Sequence, residues 1–269
     1  MIISAESVWK SIEAIRLNSP LIHNITNYVV MNTTANALLA IGASPVMAHA
    51  EEEVEEMAGI AQALVINIGT LSSRWVESMF IAARTARKRD IPVIVDPVGA
   101  GATRYRTETV RRLLQATPPA IIRGNASEIM ALALQDASTK GVDSLAGSPA
   151  AVNAARGLAA EFGGVVCISG AVDIIIGGSK TVHILNGHPL MSRVTGLGCT
   201  ATALCGAFAA VERDYAAAAA QAMALMGIAG EIAAKRSSGP GSMQFHFLDI
   251  LYNMKEITIE QYLKAEMLP

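Results

Sequence analysis

Charge, cysteine and nucleotide-binding signatures are all scarce in this chain, and each shortage removes a class of function. Only 16% of the 269 residues are charged and the net charge is −2. No cluster of lysines and arginines forms a basic footprint, and the one basic run, Arg84 to Arg89, reads as the solvated end of a helix, which argues against nucleic acid as a partner. The three cysteines, Cys167, Cys199 and Cys205, leave one odd if any two pair. No Cys-x-x-Cys or His-spaced group suggests zinc, so reduced thiols are expected. Neither a Gly-x-x-x-x-Gly-Lys loop nor a strand-linked Gly-x-Gly-x-x-Gly with an acidic residue downstream occurs, which disfavours P-loop and Rossmann readings. The start, Met1 to Ser7, lacks the basic region and apolar core of a secretory signal. The longest apolar run, Ala216 to Gly230, is mainly alanine, carries Gln221, and falls short of the roughly 20 residues needed to span a bilayer. The expectation is a soluble cytoplasmic protein without a membrane partner.

What is abundant is apolar surface. Hydrophobic residues make up 52% of the chain and the mean hydropathy is +0.38, so it must bury a large core or hide surface in an oligomer. Val8, Ile12 and Ile15 recur at helical spacing before Asn18-Ser-Pro stops the run, and a second helix is expected over Tyr28 to Ile41, closed by Gly42. Short β-branched runs (Ala63 to Ile68, Val93 to Val95, Ala120 to Ile122, Val165 to Ile168) then alternate with helical patterns such as Ser73 to Lys88 and Thr107 to Leu114. Such alternation implies βαβ units and a mainly parallel sheet covered on both faces. Val172 to Ile176 and Val182 to Leu185 flank Gly177-Gly-Ser-Lys180 as a hairpin, giving an antiparallel edge, and three helices follow from Cys199, Ala216 and Ser242. Residues 137–149, rich in Ser, Gly and Asp, read as a surface excursion within one domain, 1–269.

In open parallel sheets, ligands sit beyond the carboxyl ends of the strands. Polar residues gather there: Asn67-Ile-Gly-Thr70, Asp96-Pro-Val-Gly-Ala-Gly101, Arg123-Gly-Asn-Ala-Ser-Glu128 and Ser169-Gly170. Asp96 is a hard ligand for Mg²⁺ or a turn former. Asn125 and Glu128 either position a metal–phosphate complex or pair as helix cap and capping-box partner. Arg123, just past an apolar strand, needs an anionic partner, and phosphate is a natural one. Gly196 and Gly198 let the backbone approach a ligand, and a helix beginning near Cys199 aims free N–H groups at an anion. Cys199 itself reads as a weak general base or hydroxyl-positioning group if the helix start lowers its pKa, or as a residue chosen for small size. Cys167 and Cys205 read as core.

The blocks Pro20 to Asn27, Thr34 to Pro45, Asn67 to Thr70, Asp96 to Ala102, Ile122 to Glu128, Thr195-Gly-Leu-Gly-Cys199 and Gly239-Pro-Gly-Ser242, in that order, resemble hydroxyethylthiazole kinase across nearly the whole chain. The resemblance implies a ribokinase-like α/β fold, a homotrimer with active sites between subunits, and Mg²⁺-assisted, ATP-dependent phosphorylation of the thiazole alcohol in thiamine salvage. By position it implies ATP contacts at Arg123 and Ser169, with Gly198 and Asn125 beside them, Mg²⁺ and phosphate organisation at Asp96 and Glu128, and thiazole contacts at Asn27, Met47, Gly69 and Gly196. Ser169 stands where threonine is common in the family, and a hydroxyl survives. Ala171 stands where many relatives carry glutamate, and no chemistry is assigned to it. Aromatic residues are only 4% of the chain, so base stacking is not expected to dominate ATP affinity. The rival readings are a cysteine-nucleophile hydrolase pairing Cys199 with His23, and a related hydroxymethylpyrimidine or pyridoxal kinase.

Overall fold

The computed structural model describes residues 3–134 and 148–268. Helix α1 (Ala5–Asn18) is opened by a reciprocal cap between Ser4 and Ser7 and closed by Ser19 in the left-handed region at φ 42°. It leads into β1 (Leu21–Ile25), α2 (Met31–Ile41), β2 (Ser44–Val46), α3 (Val54–Ile60) and β3 (Ala63–Asn67). The alternation continues through α4 (Ser73–Arg89), β4 (Val93–Asp96), α5 (Arg104–Ala116), β5 (Ile121–Asn125), α6 (Ala126–Ala133), α7 (Pro149–Phe162) and β6 (Val165–Ser169). A meander of β7 (Asp173–Gly177) and β8 (Lys180–Ile184) precedes a 3-10 turn at Pro189–Arg193, α8 (Leu197–Val211), α9 (Tyr215–Arg236), α10 (Pro240–Tyr252), α11 (Glu256–Tyr262) and β9 (Ala265–Leu268).

The nine strands form one sheet in the order β2-β1-β3-β4-β5-β6-β7-β8-β9. Pairings from β2 to β6 are parallel, and those from β6 to β9 are antiparallel. The expected hairpin is present, and β9 adds a further antiparallel strand beyond it. Strands β3 and β4 are buried at every position, because helices cover both faces and leave no side for polar alternation. One apolar layer packs α1, α2 and α8 to α11 against the sheet, with Phe208, Phe247 and Ile12 among its fully buried side chains. The other packs α3 to α7 against the opposite face, around Met79, Leu64 and Ile66. Helix α9 is long and apolar enough to cross a membrane by length and composition, yet 94% of that window is buried inside the protein. Its apolar surface is already covered by neighbouring elements.

Several sequence expectations shift. The second helix begins at Met31, not Tyr28, because Asn27 turns inward and its Oδ1 accepts the Val29 N–H at 3.1 Å, while the Val30 N–H bonds the Asn27 carbonyl at 3.2 Å. Tyr28 and Val29 are left in an exposed turn. Strand β1 escaped the pattern because His23 and Asn24 interrupt its apolar run, and both are nonetheless buried. The excursion expected over 137–149 lies outside the described residues as far as 147, and α7 opens immediately after it with Ser148 as N-cap.

Candidate active site

The parallel strands carry their carboxyl ends to one edge of the sheet, where they meet the start of α8. Asp96, the last residue of β4, is 1% exposed. Its Oδ2 accepts hydrogen bonds from Asn67 Nδ2 at 2.7 Å and Thr202 Oγ1 at 2.8 Å, while its Oδ1 is buried with no partner among the described residues. Burial pushes the carboxyl up against the charge of Arg123 and the two hydrogen bonds, to about 6, with Glu128 adding to the rise. A buried carboxylate with one orphaned oxygen is set up to receive a cation or a donor brought by a ligand.

Asn67, at the end of β3, is held by its own neighbours. Its Oδ1 accepts from Asn27 Nδ2 at 2.8 Å and from the Gly69 N–H at 2.9 Å. Gly69 is required at this point, because a Cβ there would stand 2.6 Å from Asn27 Nδ2. Arg106, on α5, ties the loops together by donating to the carbonyls of Ile68, Val98 and Gly69 at 2.7 to 3.1 Å.

Arg123 and Ser169 form the second half of the site. Arg123 is 8% exposed and donates from Nη2 to Ser169 Oγ at 2.5 Å, while its Nε has no partner among the described residues. Burial opposes its charge, but Asp96 holds the guanidinium protonated and raises its pKa. Gly198 lies directly over it: a Cβ at that residue would be 3.1 Å from Arg123 Nη1. Helix α8 starts at Gly196, at φ 85°, with no side-chain cap, and its first internal bond runs from the Thr200 N–H to the Gly196 carbonyl at 2.8 Å. The N–H groups of Leu197, Gly198 and Cys199 precede that bond and, among the described residues, have no partner, leaving them able to meet an anion.

Asn125 and Glu128 build a reciprocal capping box at the start of α6: Asn125 Oδ1 accepts the Glu128 N–H, and Glu128 Oε2 accepts the Asn125 N–H, both at 2.9 Å. Glu128 Oε1 also accepts the Gly99 N–H at 2.9 Å, pinning the loop that follows Asp96. Glu128 therefore has a structural task, and its carboxylate, close enough to help raise the Asp96 pKa, keeps further lone pairs.

Cys199, on the first turn of α8, faces Asp96 and Asn27, whose Nδ2 lies 3.5 Å from Sγ. The expected fall in its pKa is reversed. Burial pushes the thiol up to about 11 and the negative charge of Asp96 adds to the rise, outweighing hydrogen bonds from Asn67 and Asn27 and the charge of Arg123. No histidine is hydrogen-bonded to it among the described residues. His23 is fully buried on β1 with Nε2 2.8 Å from the Ala48 carbonyl, and burial lowers its pKa. The thiol–imidazole pair that a cysteine hydrolase requires is missing.

A cavity of about 510 Å³ opens beside these groups, lined by Arg123, Ser169, Gly198 and Asp173 on one side and by Met223 and Gly227 of α9 on the other. Met47 is not brought into it. This half-buried residue follows the edge strand β2, separated from the cavity by β1, β3 and β4. Thr202 and Asp173 are site residues that the sequence reading missed. A threonine three positions after Cys199, one of two in an otherwise largely apolar helix, was the available signal for the first, and an aspartate opening the hairpin for the second.

The family signature described as the hydroxyethylthiazole kinase family matches residues 12–257. A hydroxyethylthiazole kinase from Syntrophus aciditrophicus is 63% identical over 265 residues, covering 98% of each chain. The solved hydroxyethylthiazole kinase structure from Pyrococcus horikoshii is 43% identical, covers 98% of this chain and all of its own, and superposes with a TM-score of 0.91. A ribokinase-like superfamily protein from Enterococcus faecalis, 14% identical with a TM-score of 0.67 over 96% of both chains, shares the fold alone.

Proposed function

The chain belongs to the hydroxyethylthiazole kinase family, and we propose that it transfers the γ-phosphoryl group of ATP to the alcohol of hydroxyethylthiazole in thiamine salvage. One observation carries this reading: Arg123, Ser169 and the uncapped start of α8 surround the mouth of a nucleotide-sized cavity, next to the orphaned oxygen of Asp96. Phosphoryl transfer asks a protein mainly for alignment and charge neutralisation. Arg123 and the N–H groups of Leu197, Gly198 and Cys199 supply that neutralisation for the transferring phosphoryl oxygens. Ser169 fixes the guanidinium plane.

Mg²⁺ fits this donor set. Asp96 offers a hard, buried oxygen without a partner among the described residues and Glu128 a second carboxylate, and these two would hold the ion, whose charge would offset that of the transferring phosphoryl group. Asn27 and Cys199 then lie on the acceptor side, with Met47, Gly69 and Gly196 as the remaining thiazole contacts. Cys199 stays a thiol and positions the acceptor hydroxyl; it does not bond covalently to substrate. Asn125 holds the α6 cap that steadies Glu128.

The same reading takes residues 1–269 as a single cytoplasmic kinase domain, supported by the continuous sheet from β2 to β9. It assembles as a homotrimer with sites between subunits. Exposed Tyr28, Val29, Leu39 and Phe245 support this: the first two follow Asn27 directly in the turn before α2, and the others sit on α2 and the adjoining α10. The test is ADP formation from Mg·ATP with hydroxyethylthiazole, hydroxymethylpyrimidine or pyridoxal as acceptor, alongside light scattering of the purified protein. The thiazole alcohol should be preferred by a trimer. A folded trimer that forms no ADP with it overturns the assignment.

A further inference from the structure

Asp173 opens β7 and is 7% exposed, yet it lines the cavity. Its Oδ1 accepts the Gly170 N–H at 3.0 Å, closing the turn between β6 and β7. Its other oxygen has no hydrogen-bond partner among the described residues and keeps accessible surface, on a residue that lines the cavity. A buried carboxylate with an open oxygen in a ligand cavity calls for a donor. Burial, only partly offset by the Gly170 bond and by Arg123, pushes it up to about 7, in keeping with that lack.

The sheet order says which donor. Arg123, Ser169 and Asp173 stand on successive strands β5, β6 and β7, at one edge of the sheet, because β7 runs antiparallel and starts where β6 ends. Asp173 pairs in turn with Ile184 at the end of β8, beyond which Asn186 joins the cavity wall. Neighbouring strands are about 4.8 Å apart. Asn125 pairs with Ser169, β7 begins opposite it, and Arg123, two residues back along β5, reaches Ser169 with its side chain, so Arg123, Ser169 and Asp173 form a row with one step per strand. The row begins at the anion-binding pair Arg123 and Ser169 and leads toward the apolar wall of Met223, Met226 and Gly227. A nucleotide along it places phosphate at the first step and base at the last. The step between them falls to the sugar. A carboxylate there would repel phosphate, whereas a hydroxyl is a donor it can accept.

We propose that the open carboxylate oxygen of Asp173 accepts a hydrogen bond from a ribose hydroxyl of the nucleotide co-substrate, making Asp173 a determinant of ribonucleotide over deoxyribonucleotide use. This rests on the cavity being the nucleotide site. Hydrogen bonds to charged acceptors are strong enough to make discrimination on the order of tenfold to a hundredfold.

The experiment measures kcat/KM of the full enzyme for ATP, 2′-deoxy-ATP and 3′-deoxy-ATP, in wild type, Asp173→Asn and Asp173→Ala. Wild type should discriminate against at least one deoxynucleotide by tenfold or more, and which one identifies the hydroxyl. In both variants kcat/KM for ATP should fall toward the wild-type value for that deoxynucleotide, leaving a ratio within about threefold. Asp173→Asn can still cap Gly170 through its amide oxygen, so it reports even if Asp173→Ala does not fold. Equal discrimination in wild type and Asp173→Asn, or none in wild type, overturns the proposal. Calorimetric binding of ADP and the two deoxy-ADPs to the same proteins separates the two readings. If no acceptor is phosphorylated but the calorimetric ratio still collapses on substitution, the kinase assignment fails while Asp173 keeps its role.

Discussion

Substituting Cys199 tests most directly how the acceptor alcohol is handled. With the thiol pushed up to about 11, only about one molecule in a thousand carries a thiolate at pH 8, against about a quarter for an unperturbed thiol. Alkylation of Cys199 by iodoacetamide in the unliganded enzyme should therefore run a few hundredfold slower than for a free thiol at that pH, since the thiolate is the nucleophile. Removing a general base costs about 10² to 10⁴ in rate. A group so rarely ionised cannot supply that, so Cys199→Ala should lower kcat by no more than about tenfold, evenly from pH 6.5 to 9, with a rise in KM for the acceptor. Cys199→Asp should remain active, because a carboxylate accepts the Asn27 amide hydrogen better than sulfur does and can take a proton. Stopped-time alkylation followed by peptide mapping, together with pH–rate profiles of the three proteins, checks the chain of reasoning. An alkylation profile with an apparent pKa near 7, or a Cys199→Ala loss above about a thousandfold that grows with pH, would refute it.

Asp96→Asn bears on stability as well as activity. The carboxyl is raised from 3.8 to about 6 in the folded protein, so it costs nothing below pH 3.8, and above 6 the ionised form opposes folding by about 3 kcal/mol. Urea melts in EDTA should show Asp96→Asn gaining most relative to wild type near pH 8 and least near pH 4, with phosphoryl transfer abolished; identical pH slopes in both proteins would contradict the burial argument. Gly198→Ala puts a methyl 3.1 Å from Arg123 Nη1, so KM for ATP should rise on the order of tenfold while KM for the thiazole changes little in two-substrate kinetics. Gly196→Ala adds a Cβ at φ 85°, 2.7 Å from Val30 Cγ1, and should cost about 1 to 3 kcal/mol in denaturant melts.

The sheet was legible because β3 to β6 each open on a short apolar run and are separated by helical patterns, as parallel burial imposes. The polar residues that end those apolar runs could be recognised as a site for the same reason: Asn67, Asp96, Arg123 and Ser169 have no apolar task at those positions. Strand β1 was hidden by His23 and Asn24, each of which bonds one backbone carbonyl, Ala48 and Ile22 respectively, while His23 Nδ1 and Asn24 Oδ1 stay buried without a partner among the described residues. The protonation of Cys199 was misread because sequence shows the helix start that favours a thiolate but not the burial and the neighbouring carboxylate that oppose it. The role of Thr202 was missed for a related reason. Its partner Asp96 is 106 residues away in sequence, and only the crossing of α8 over the ends of β3 and β4 joins them.

That crossing also explains why two asparagines stand behind one aspartate. Asn27 is fixed at both ends, its oxygen held by the Val29 N–H and its amide nitrogen donating to Asn67 Oδ1 and approaching Cys199 Sγ. Asn67 is fixed in the same sense, since its oxygen takes Asn27 and the Gly69 N–H and only its nitrogen is left for Asp96. Each amide thus has its orientation set by a backbone N–H, which can only donate, and reversing either one would bring donor against donor. The relay delivers its last hydrogen to Asp96 Oδ2, where Thr202 also donates, and leaves Oδ1 bare. A symmetric arrangement of donors would have satisfied both oxygens and lowered the carboxyl's pKa. This one spends both donors on orientation and accepts a raised pKa, and the oxygen it leaves unsatisfied is the atom that the phosphoryl-transfer reading needs for the cation.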